Sequence, residues 1–427
     1  MANVTILSLV FRPDNVSTAQ LMADLGEDLV RKGHRVTVLT TTPHYNHDEV
    51  ASAAQPLKPC WAGILRRSEY RGMEVFHAWM PRKGRSKIYR IVTWLAFHVT
   101  STIAGFIKIP KPDIILSPSP PLTIGVSAWL IARFHRARFI YNVQEVYPDV
   151  AVNLGALKNP WLISRLFALE RFVYRHAAAI TVISSHMLGR LMAKGVDRSK
   201  LVLIPNFVDV REFAPGQKDN TFSRAHGLTD KFVISYAGNM GKPQQLEVLI
   251  EAAGLLQHHD RVRFLLMGGG SELDRLRRIA AEKGLTNVIF LSHQPYTVMP
   301  DAYAASNVCY VPQAIGTSSD GIPSKVYRIM AAGRPVLALT DAGSDLAALV
   351  EEAKAGAVVT SVKAESLANA ITAILQNEYA WAGLGRNGRA HVTEVYDRTV
   401  VSDRYHRLIE ATIANAAARP NSPAPIR

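Results

Sequence analysis

The chain has 427 residues, of which 48% are hydrophobic and 20% charged, a composition that is typical of folded globular domains and excludes a disordered protein. The formal net charge of +14 favours anionic partners such as phosphates, acidic lipid surfaces or nucleic acid. Cys60 and Cys309 lie far apart in the sequence, so they indicate neither a disulfide framework nor a metal site, and a reducing cytoplasm fits them best. The first residues lack a basic region and a small-residue cleavage site, so we predict no signal peptide.

The first half of the chain alternates strand patterns with helix patterns. Val4–Val10 is a continuous apolar run typical of a buried parallel strand, and apolar residues then recur at helical spacing from Leu21 to Val30, before Gly33. Arg35–Thr40 is a second strand, which completes a βαβ opening. Further strands are predicted at 113–116, 139–143, 179–183 and 201–204, and further helices at 122–134, 160–175 and 187–194. The alternation predicts an α/β domain with a doubly wound parallel sheet.

A basic segment followed by an apolar one interrupts this alternation. Between Lys58 and Arg90 nine residues are basic and two are acidic, and residues 91–107 are uncharged. These 17 residues fall short of the ~20 that a spanning helix needs. We interpret 58–110 as a membrane-associating segment whose helix packs partly on its own domain and touches an anionic membrane surface. A wholly buried core helix and a true transmembrane span stay open as alternatives.

The alternation restarts at Phe232, after a connector at Pro205–Gly216 and a polar stretch at Gln217–Asp230. Strands are predicted at 232–237, 262–267, 288–291, 308–311 and 357–359, and a further strand is predicted to start at 336. Helices are predicted between these strands and after the last one, and they end near 256, 281, 305 and 416. The expected organisation is an acceptor-side domain at 1–207, a donor domain at 208–395, a crossover helix at 396–416 that returns to the first domain, and a disordered tail at 417–427. We expect the two domains to face each other across a cleft, with one ligand on each.

The stretch Ser318–Val336 combines a polar loop, a helix and a strand in a way that suits a nucleotide-sugar. We place Pro323 at the first helical position, so that the free N–H groups near Ser324 and Lys325 point out of the helix end and attract phosphate. Lys325 adds a full positive charge there, and Asp320 offers a carboxylate to sugar hydroxyls. An ordinary loop, helix and strand of an α/β protein is the alternative.

Glycine-rich loops follow two other strands of the second domain, at Gly238–Gln245 and Gly268–Ser271. Glycine lets a ligand approach the backbone, and three such loops at successive strand ends predict phosphate or nucleotide binding. The candidate donor-binding residues are Gly238, Asn239, Lys242, Gln245, Gly268, Gly269, His293, Gly321, Ile322, Ser324 and Arg328.

The chain resembles a known enzyme family over nearly its whole length. The matching motifs are GHRVTVLTTTP at 33–43, QEVYPD at 144–149, IPNFVD at 204–209, YAGNMGKPQQLEVLIEAA at 236–253, MGGGSE at 267–272 and GIPSKVYRIMAAGRPVLA at 321–338. They resemble the retaining glycosyltransferases of family 4, which have two Rossmann-like domains (the GT-B fold), and in particular bacterial enzymes of exopolysaccharide, capsule and O-antigen synthesis. The resemblance implies a nucleotide-sugar donor and retention without a covalent intermediate, a metal ion or another cofactor.

The chain departs from the family pattern at charged positions of the donor site. Where the family has Glu, seven residues and Glu, this chain has Asp320 and Arg328. The resemblance implies that Asp320 holds sugar hydroxyls, whereas Arg328 cannot accept a hydrogen bond from a ribose and could face a phosphate or leave the site. Asn239 stands where the family has an arginine, so Lys242 and Lys325 are the predicted cations for the diphosphate.

Several polar side chains of the first domain are candidates for the acceptor side. Glu145 and Asp149 follow a strand and could position the acceptor hydroxyl, with a loop cap or a salt link as the alternative. His44 is a weaker candidate, since we expect a solvated loop histidine. The other candidates stand where the family has a paired glycine and a histidine, and they are Val16, Ser17 and Ser119.

The sequence therefore predicts a glycosyltransferase of the hexosyl-transferring class (EC 2.4) with Asp320, Lys325 and Glu145 as its catalytic residues. We expect it to move a sugar from a UDP- or GDP-sugar to a lipid-linked saccharide in cell-surface polysaccharide synthesis, as a cytoplasmic protein peripheral to the inner face of the plasma membrane. A nucleotide-sugar epimerase on the same fold and a non-enzymatic basic protein that binds membrane or nucleic acid are the alternatives. No aromatic-interleaved basic patch is found, so nucleic acid is not an expected partner.

Overall fold

The computed structural model describes residues 1–14, 16–44, 49–80, 87–153, 155, 157–316 and 321–417. The described chain divides into two compact units. Unit 1 consists of Met1–Asn206 together with the segment from Val401 onward, and unit 2 consists of Phe207–Val400. Each unit has its own sheet and its own buried apolar core.

Unit 1 is built around one mixed sheet. Its strands within the described residues are β1 (Asn3–Leu7), β2 (Arg35–Thr41), β3 (Lys58–Cys60), β4 (Leu65–Tyr70), β5 (Met73–Ala78), β6 (Ile114–Pro118), β7 (Arg138–Val143), β8 (Ala179–Val182) and β9 (Leu201–Leu203). They pair in the order β3-β4-β5-β2-β1-β6-β7-β8-β9, with antiparallel pairing at β3–β4 and β4–β5 and parallel pairing elsewhere. The strand order reverses between β1 and β6, which is where doubly wound sheets bind ligands. The predicted fold class is confirmed.

Helices cover the sheet of unit 1. Over the described residues they are α1 (Ser17–Arg31), α2 (Glu49–Ala54), α3 (Lys87–Ile107), α4 (Ile124–His135), α5 (Asp149–Asn153), α6 (Pro160–His176) and α7 (Ser185–Ala193). The predicted start of α6 is confirmed, because the Asn159 side chain accepts hydrogen bonds from the backbone N–H groups of Trp161 and Leu162. Pro160 occupies the first helical position, where its missing N–H costs nothing.

The basic stretch that begins at Lys58 differs from its prediction, because its first part is sheet. Arg71 and Gly72 have φ values of 45° and 80°, the left-handed pair that forms a tight type I′ hairpin turn between β4 and β5. Arginine in place of the usual Asn or Asp hides this turn in the sequence, and the charges of β4 point to solvent. Residues 58–78 therefore form one edge of the sheet, and the apolar part of the predicted segment is helix α3.

Unit 2 is built around a sheet that is smaller than the sheet of unit 1, and all of its described strands pair in parallel. These strands are β10 (Phe232–Asn239), β11 (Val262–Gly269), β12 (Val288–Leu291), β13 (Val308–Pro312), β14 (Val336–Leu339) and β15 (Gly356–Val359), paired in the order β12-β11-β10-β13-β14-β15. Its described helices are α8 (Thr221–Ala225), α9 (Glu247–Leu255), α10 (Leu273–Glu282), α11 (Met299–Ala304), α12 (Lys325–Ala331), α13 (Asp345–Glu352), α14 (Ala364–Gln376) and α15 (Glu378–Val395). The strand order reverses between β10 and β13, so the loops after these strands meet at the ligand-binding edge.

The last helix, α16 (Arg398–Ala417), belongs to unit 1 from Val401 onward, as the sequence predicted. The Ser402 hydroxyl donates to Asp28 at 2.7 Å, and the hydroxyl of Tyr405 accepts from Asn142 at 3.0 Å. The two hydrogen bonds join this helix to α1 and β7 of unit 1.

Candidate functional site

The carboxyl ends of β10 and β11 bring the predicted donor-site glycines together. Gly238 and Gly268 are register partners with φ values of 143° and 144°. A Cβ at Gly268 would lie 1.9 Å from the carbonyl oxygen of Gly238, so only glycine fits there. A Cβ at Gly269 would lie 3.4 Å from Nε2 of His293, which places this histidine, on the loop after β12, beside the same strand ends.

Lys325, the first residue of α12, reaches these glycines from another element. Its Nζ lies 4.2 Å from the ring centroid of Tyr236 and would be 2.7 Å from a Cβ at Gly238. Desolvation lowers the pKa of Lys325 to about 7, with no charged neighbour among the described residues to oppose it. With a pKa of about 7 the amine is only partly protonated at neutral pH, which differs from the full positive charge that the sequence analysis expects.

Tyr236 is a site residue that the sequence analysis missed. Its ring lies under the ammonium group of Lys325, and its hydroxyl donates to the carbonyl oxygen of Asn239 at 2.5 Å. It therefore holds the turn that follows β10. An aromatic side chain within an apolar strand is normally core, so the sequence carries no signal that separates this tyrosine from the core.

Lys242 lies away from this group, whereas the side-chain oxygen of Gln245 accepts a hydrogen bond from the backbone N–H of Ile315, on the loop after β13, at 3.5 Å. Lys242 and Gln245 line a cavity of about 630 Å³ whose other charged lining residues include Glu247, Glu272 and Arg275. The chain turns away there because Lys242–Gln244 form a 3₁₀ turn, closed by a hydrogen bond from the backbone N–H of Gly241 to the Gln244 side chain at 3.0 Å. Asn239 stays at the strand end, since its side-chain nitrogen would lie 2.9 Å from a Cβ at Gly241. Of the two predicted cations, only Lys325 faces the glycine loops.

The segment before α12 differs in detail from its prediction. The helix begins at Lys325, with Ser324 as the residue before it, so Pro323 is not the first helical residue. The Pro323 carbonyl instead accepts a hydrogen bond from Val326 at 3.0 Å, which forms a turn that leads into the helix. Gly321 has φ +87° and its carbonyl accepts from the Gln313 side chain at 2.9 Å. The remaining predicted residues of this segment are Ile322, which packs on the core below α12, and Asp320, which lies outside the described residues.

Arg328 lies among aromatic rings. Its guanidinium group is 5.1 Å from the ring centroid of Tyr296 and 5.5 Å from that of Phe213. Both contacts are within cation–π range, so the partially negative faces of the two rings attract the guanidinium group. This arrangement explains how an arginine is accommodated at a position where the family has a glutamate.

In unit 1 the predicted acceptor-side residues surround a cavity of about 430 Å³. It lies where the strand order reverses, and its lining consists of Ser8, Leu9, Val10, Val16, Ser17, Thr18, His44, Met80, Thr93, Trp94, Pro120 and Glu145. Four of the predicted residues thus come together here: Val16, Ser17, His44 and Glu145. The predicted strand end at Val10 is wrong, because β1 stops at Leu7 and Ser8 donates to the Val10 carbonyl at 2.7 Å, which bends the chain into the cavity wall.

His44 is buried, so the expectation of a solvated loop histidine is wrong. Only 5% of its side chain is exposed, and Asp14, with 2% exposed, lies beside it. The Asp14 carboxylate accepts from the backbone N–H of His44 at 3.0 Å and lies 3.7 Å from Nδ1. Thr41 contributes a hydroxyl at 2.9 Å from Nδ1, and this hydroxyl itself donates to the Leu9 carbonyl. Nδ1 therefore faces acceptors and carries the proton in the neutral ring.

Ser119 and Asp149 have roles in holding the loops beside this cavity. The Ser119 hydroxyl accepts from the backbone N–H of Gln144 at 3.1 Å and donates to the Glu145 carbonyl at 3.4 Å, so it fixes the loop that carries Glu145. Asp149 pairs with Lys194 and lies 3.3 Å from Arg190. For Asp149 the structure shows the salt link that the sequence analysis left open as an alternative.

Helix α3 presents an uncharged apolar face to solvent. The exposed fractions of Val92, Leu95 and Val99 are 57%, 62% and 50%. Helix α4 extends this surface, since the rings of Phe106 and Phe134 pack 4.6 Å apart and 59% of Phe134 is exposed. We define the apolar face as Val92, Leu95, Val99, Ile103 and Ile107 of α3 with Leu130 and Phe134 of α4. In the part of the chain that the structure describes, no helix is both long enough and apolar enough to cross a membrane.

Two family models match the chain, one in each unit. The model of the "Glycosyl transferase 4-like domain" matches residues 18–206, and that of the "Glycosyl transferases group 1" matches residues 231–377. WcaI of Escherichia coli (strain K12), named as a colanic acid biosynthesis glycosyl transferase, is 25% identical over 357 residues, which are 82% of this chain and 86% of WcaI. WbjE of Pseudomonas aeruginosa, named as a glycosyltransferase, is 27% identical over 248 residues, which are 58% of this chain and 62% of WbjE.

Solved structures share the fold over the whole chain. Sucrose-phosphate synthase from Thermosynechococcus elongatus has a TM-score of 0.73 at 18% identity and covers 97% of this chain and 100% of its own. HepE of Anabaena, solved in complex with UDP-glucose, has a TM-score of 0.70 at 14% identity and covers 98% of this chain and 100% of its own. With a family model on each unit and this fold, the chain belongs to the family 4 glycosyltransferases with two Rossmann-like domains, the GT-B type.

Proposed function

We propose that this glycosyltransferase moves a sugar from a UDP- or GDP-sugar to a lipid-linked saccharide of the cell surface, with retention of configuration. One observation carries the donor part: Gly238, Gly268 and Lys325 meet at the point of unit 2 where the strand order reverses. Ligands of doubly wound sheets bind at that point. HepE, which shares the fold, was solved with UDP and with UDP-glucose.

The chemistry of the donor site is the stabilisation of a leaving nucleoside diphosphate. As the bond to the sugar breaks, negative charge grows on the diphosphate, and fixed donors in a site with little water stabilise it. Lys325 supplies the cation, and Gly238 leaves room for the phosphate to approach the backbone. Asp320 is proposed to hold the sugar hydroxyls, while Arg328 stays between its aromatic rings and does not bind the ribose.

The acceptor is proposed to bind in the unit 1 cavity. Glu145 accepts a hydrogen bond from the reacting hydroxyl, and Ser17 and the buried His44 contact neighbouring hydroxyls. The amino end of α1 opens on this cavity and favours the phosphate of a lipid-linked acceptor. Trp94 of α3 also lines the cavity, so the helix with the apolar face is part of the acceptor site.

The apolar face is proposed to rest on an anionic bilayer. α3 and α4 run in the same direction, because His98 in the middle of α3 contacts Thr123 at the start of α4, and His135 at the end of α4 contacts the carbonyl of Gly105 near the end of α3. Exposed basic residues lie at the carboxyl ends of the two helices, and they are Lys108 and Lys111 after α3, Arg133 in the last turn of α4, and Arg136 and Arg138 after α4. An uncharged apolar surface bordered by cations matches the interface of a membrane that contains acidic lipids.

The test is transfer from labelled UDP- or GDP-sugars to lipid-linked saccharides extracted from bacterial membranes. Asp320→Ala is expected to abolish transfer at an unchanged midpoint of thermal unfolding, because it removes a proposed ligand of the sugar. Asp274→Ala, which removes an exposed carboxylate of α10, is the matched control and should keep the wild-type rate. Full activity of Asp320→Ala contradicts the assignment, and conversion of the donor without any acceptor indicates an epimerase.

A further inference from the structure

The cation of the donor site lies in surroundings that disfavour its charge. Lys325 is half-buried, with its Nζ between the ring of Tyr236 and the backbone of Gly238. Among the described residues no carboxylate pairs with it. A ring face offers a cation far less stabilisation than the water or carboxylate that it replaces.

The titratable groups near this ammonium group do not supply the missing counter-charge. Burial raises the pKa of Tyr236 far above its usual value, so the phenol stays neutral while it donates to Asn239. On α12 itself, Arg328 faces the rings of Tyr296 and Phe213. His293 lies beside Gly269 and is exposed. Desolvation thus acts on Lys325 without an opposing charge from the described chain.

We propose that Lys325 takes up a proton when a nucleoside diphosphate binds, so that binding itself produces the positive charge that faces the diphosphate. This inference rests on the proposed donor site. A diphosphate carries at least two negative charges, and even one of them close to an ammonium group strongly favours its protonated form where little water screens the pair. The pKa of Lys325, about 7 in the empty site, must therefore rise on binding.

A lysine can act in this way at this place, whereas an arginine cannot. The family's arginine, replaced here by Asn239, stays charged at every physiological pH, whereas a lysine amine can be neutral when desolvated. The neutral amine avoids an unpaired buried charge in the empty site. The protonated form then appears together with the diphosphate, and it is in place when the leaving group gains charge.

The test is calorimetry of UDP binding to the full chain in two buffers, HEPES and Tris, that differ in enthalpy of ionisation. At pH 8, where UDP is fully ionised, the difference in binding enthalpy should correspond to uptake of about 0.9 proton, and at pH 7 to about 0.5 proton. The apparent Kd of UDP should rise about 50-fold from pH 7 to pH 9. Lys325→Met should bind UDP more weakly and without uptake, and Lys242→Met, which removes the other predicted cation, should keep the uptake.

The outcomes separate this inference from the proposed function. If UDP binds to the wild type with equal enthalpy in both buffers, proton uptake is refuted while the donor site stands. Uptake that persists in Lys325→Met assigns the proton to another group and also refutes the inference. If neither UDP nor GDP binds at millimolar concentration, the proposed donor site itself is rejected. The wild-type measurement decides between these results even if Lys325→Met fails to fold.

Discussion

The apolar face of α3 and α4 leads to a sharp prediction about membrane binding. Replacing Leu95 and Val99 by glutamate should release the protein from vesicles that contain acidic lipids. Both side chains are on the outer side of α3, with 62% and 50% of their surfaces exposed, so the substitutions remove no core contact.

The size of the effect follows from the exposed surface. Full burial of a leucine or valine side chain contributes about 1.5–3 kcal/mol, so a half-exposed one contributes about 1 kcal/mol when it enters the interface. Each new glutamate adds repulsion from acidic lipids of about 1 kcal/mol. The double variant should therefore lose about 4 kcal/mol, which is roughly a thousandfold in partitioning.

The assay is co-sedimentation with phosphatidylcholine vesicles that contain about one-third phosphatidylglycerol, at low and at high salt. Leu255→Glu is the matched control, because Leu255 at the end of α9 in unit 2 is 47% exposed and lies outside the apolar face. We expect the control to sediment like the wild type. Equal sedimentation of the double variant and the wild type, or an equal loss in the control, would refute membrane docking through this face.

Other predictions concern stability, the acceptor side and metal dependence. Gly268→Ala should destabilise unit 2 by at least ~3 kcal/mol in urea unfolding, because its Cβ meets the Gly238 carbonyl at 1.9 Å, whereas Gly189→Ala in α7 meets nothing within 4 Å and should be neutral or slightly stabilising. Burial lowers the pKa of His98 in the folded protein to about 4, whereas its value in the unfolded chain is 6.5. Between pH 6.5 and pH 4 the unfolded state therefore binds more protons than the folded state, and the free energy of unfolding falls as the pH is lowered. At pH 5 this linkage costs about 2 kcal/mol, and His98→Gln, which does not titrate, should show a correspondingly smaller loss of unfolding free energy between pH 7 and pH 5. Glu145→Gln should lower kcat at an unchanged donor KM, while Asp149→Asn should lower the unfolding temperature through loss of its pairs with Lys194 and Arg190 and change kcat little. Within the described residues no three His, Cys, Asp or Glu side chains gather as metal ligands, and we expect transfer to continue in excess EDTA, so a complete loss there would contradict a metal-independent reaction.

The fold was predictable because each unit repeats one simple pattern. Apolar strands such as Phe232–Asn239 are largely buried, and the amphipathic helices between them favour a doubly wound sheet with parallel central strands. The hairpin of β4 and β5 was missed because its turn uses Arg71 and Gly72, and because antiparallel edge strands with charged outer faces lack a long apolar run.

The sequence predicts those parts of the candidate sites that consist of glycines at strand ends. It does not predict the contacts between side chains from elements that are distant in the sequence. Gly238 and Gly268 follow strands in a way that local sequence reveals. The burial of His44 depends on Asp14, which is thirty positions away, and the low pKa of Lys325 results from its burial beside Tyr236 and Gly238 of another element. Propensity and spacing describe one element at a time, so they contain no information on such desolvation or pairing.

The two register-paired glycines of the donor site are required for different reasons. At Gly268 a side chain would strike the backbone of the neighbouring strand, so the constraint there comes from the sheet itself. At Gly238 a side chain would strike only the flexible end of Lys325, 2.7 Å away, which could move aside while the strands stay in place. Gly238 is thus favoured for two reasons. Its positive φ suits glycine, and the absence of a side chain leaves the space in which the ammonium group of Lys325 lies. A glycine in one strand and a lysine on a helix that comes three strands later in the chain thus depend on each other, because the glycine leaves the space that the end of the lysine side chain occupies.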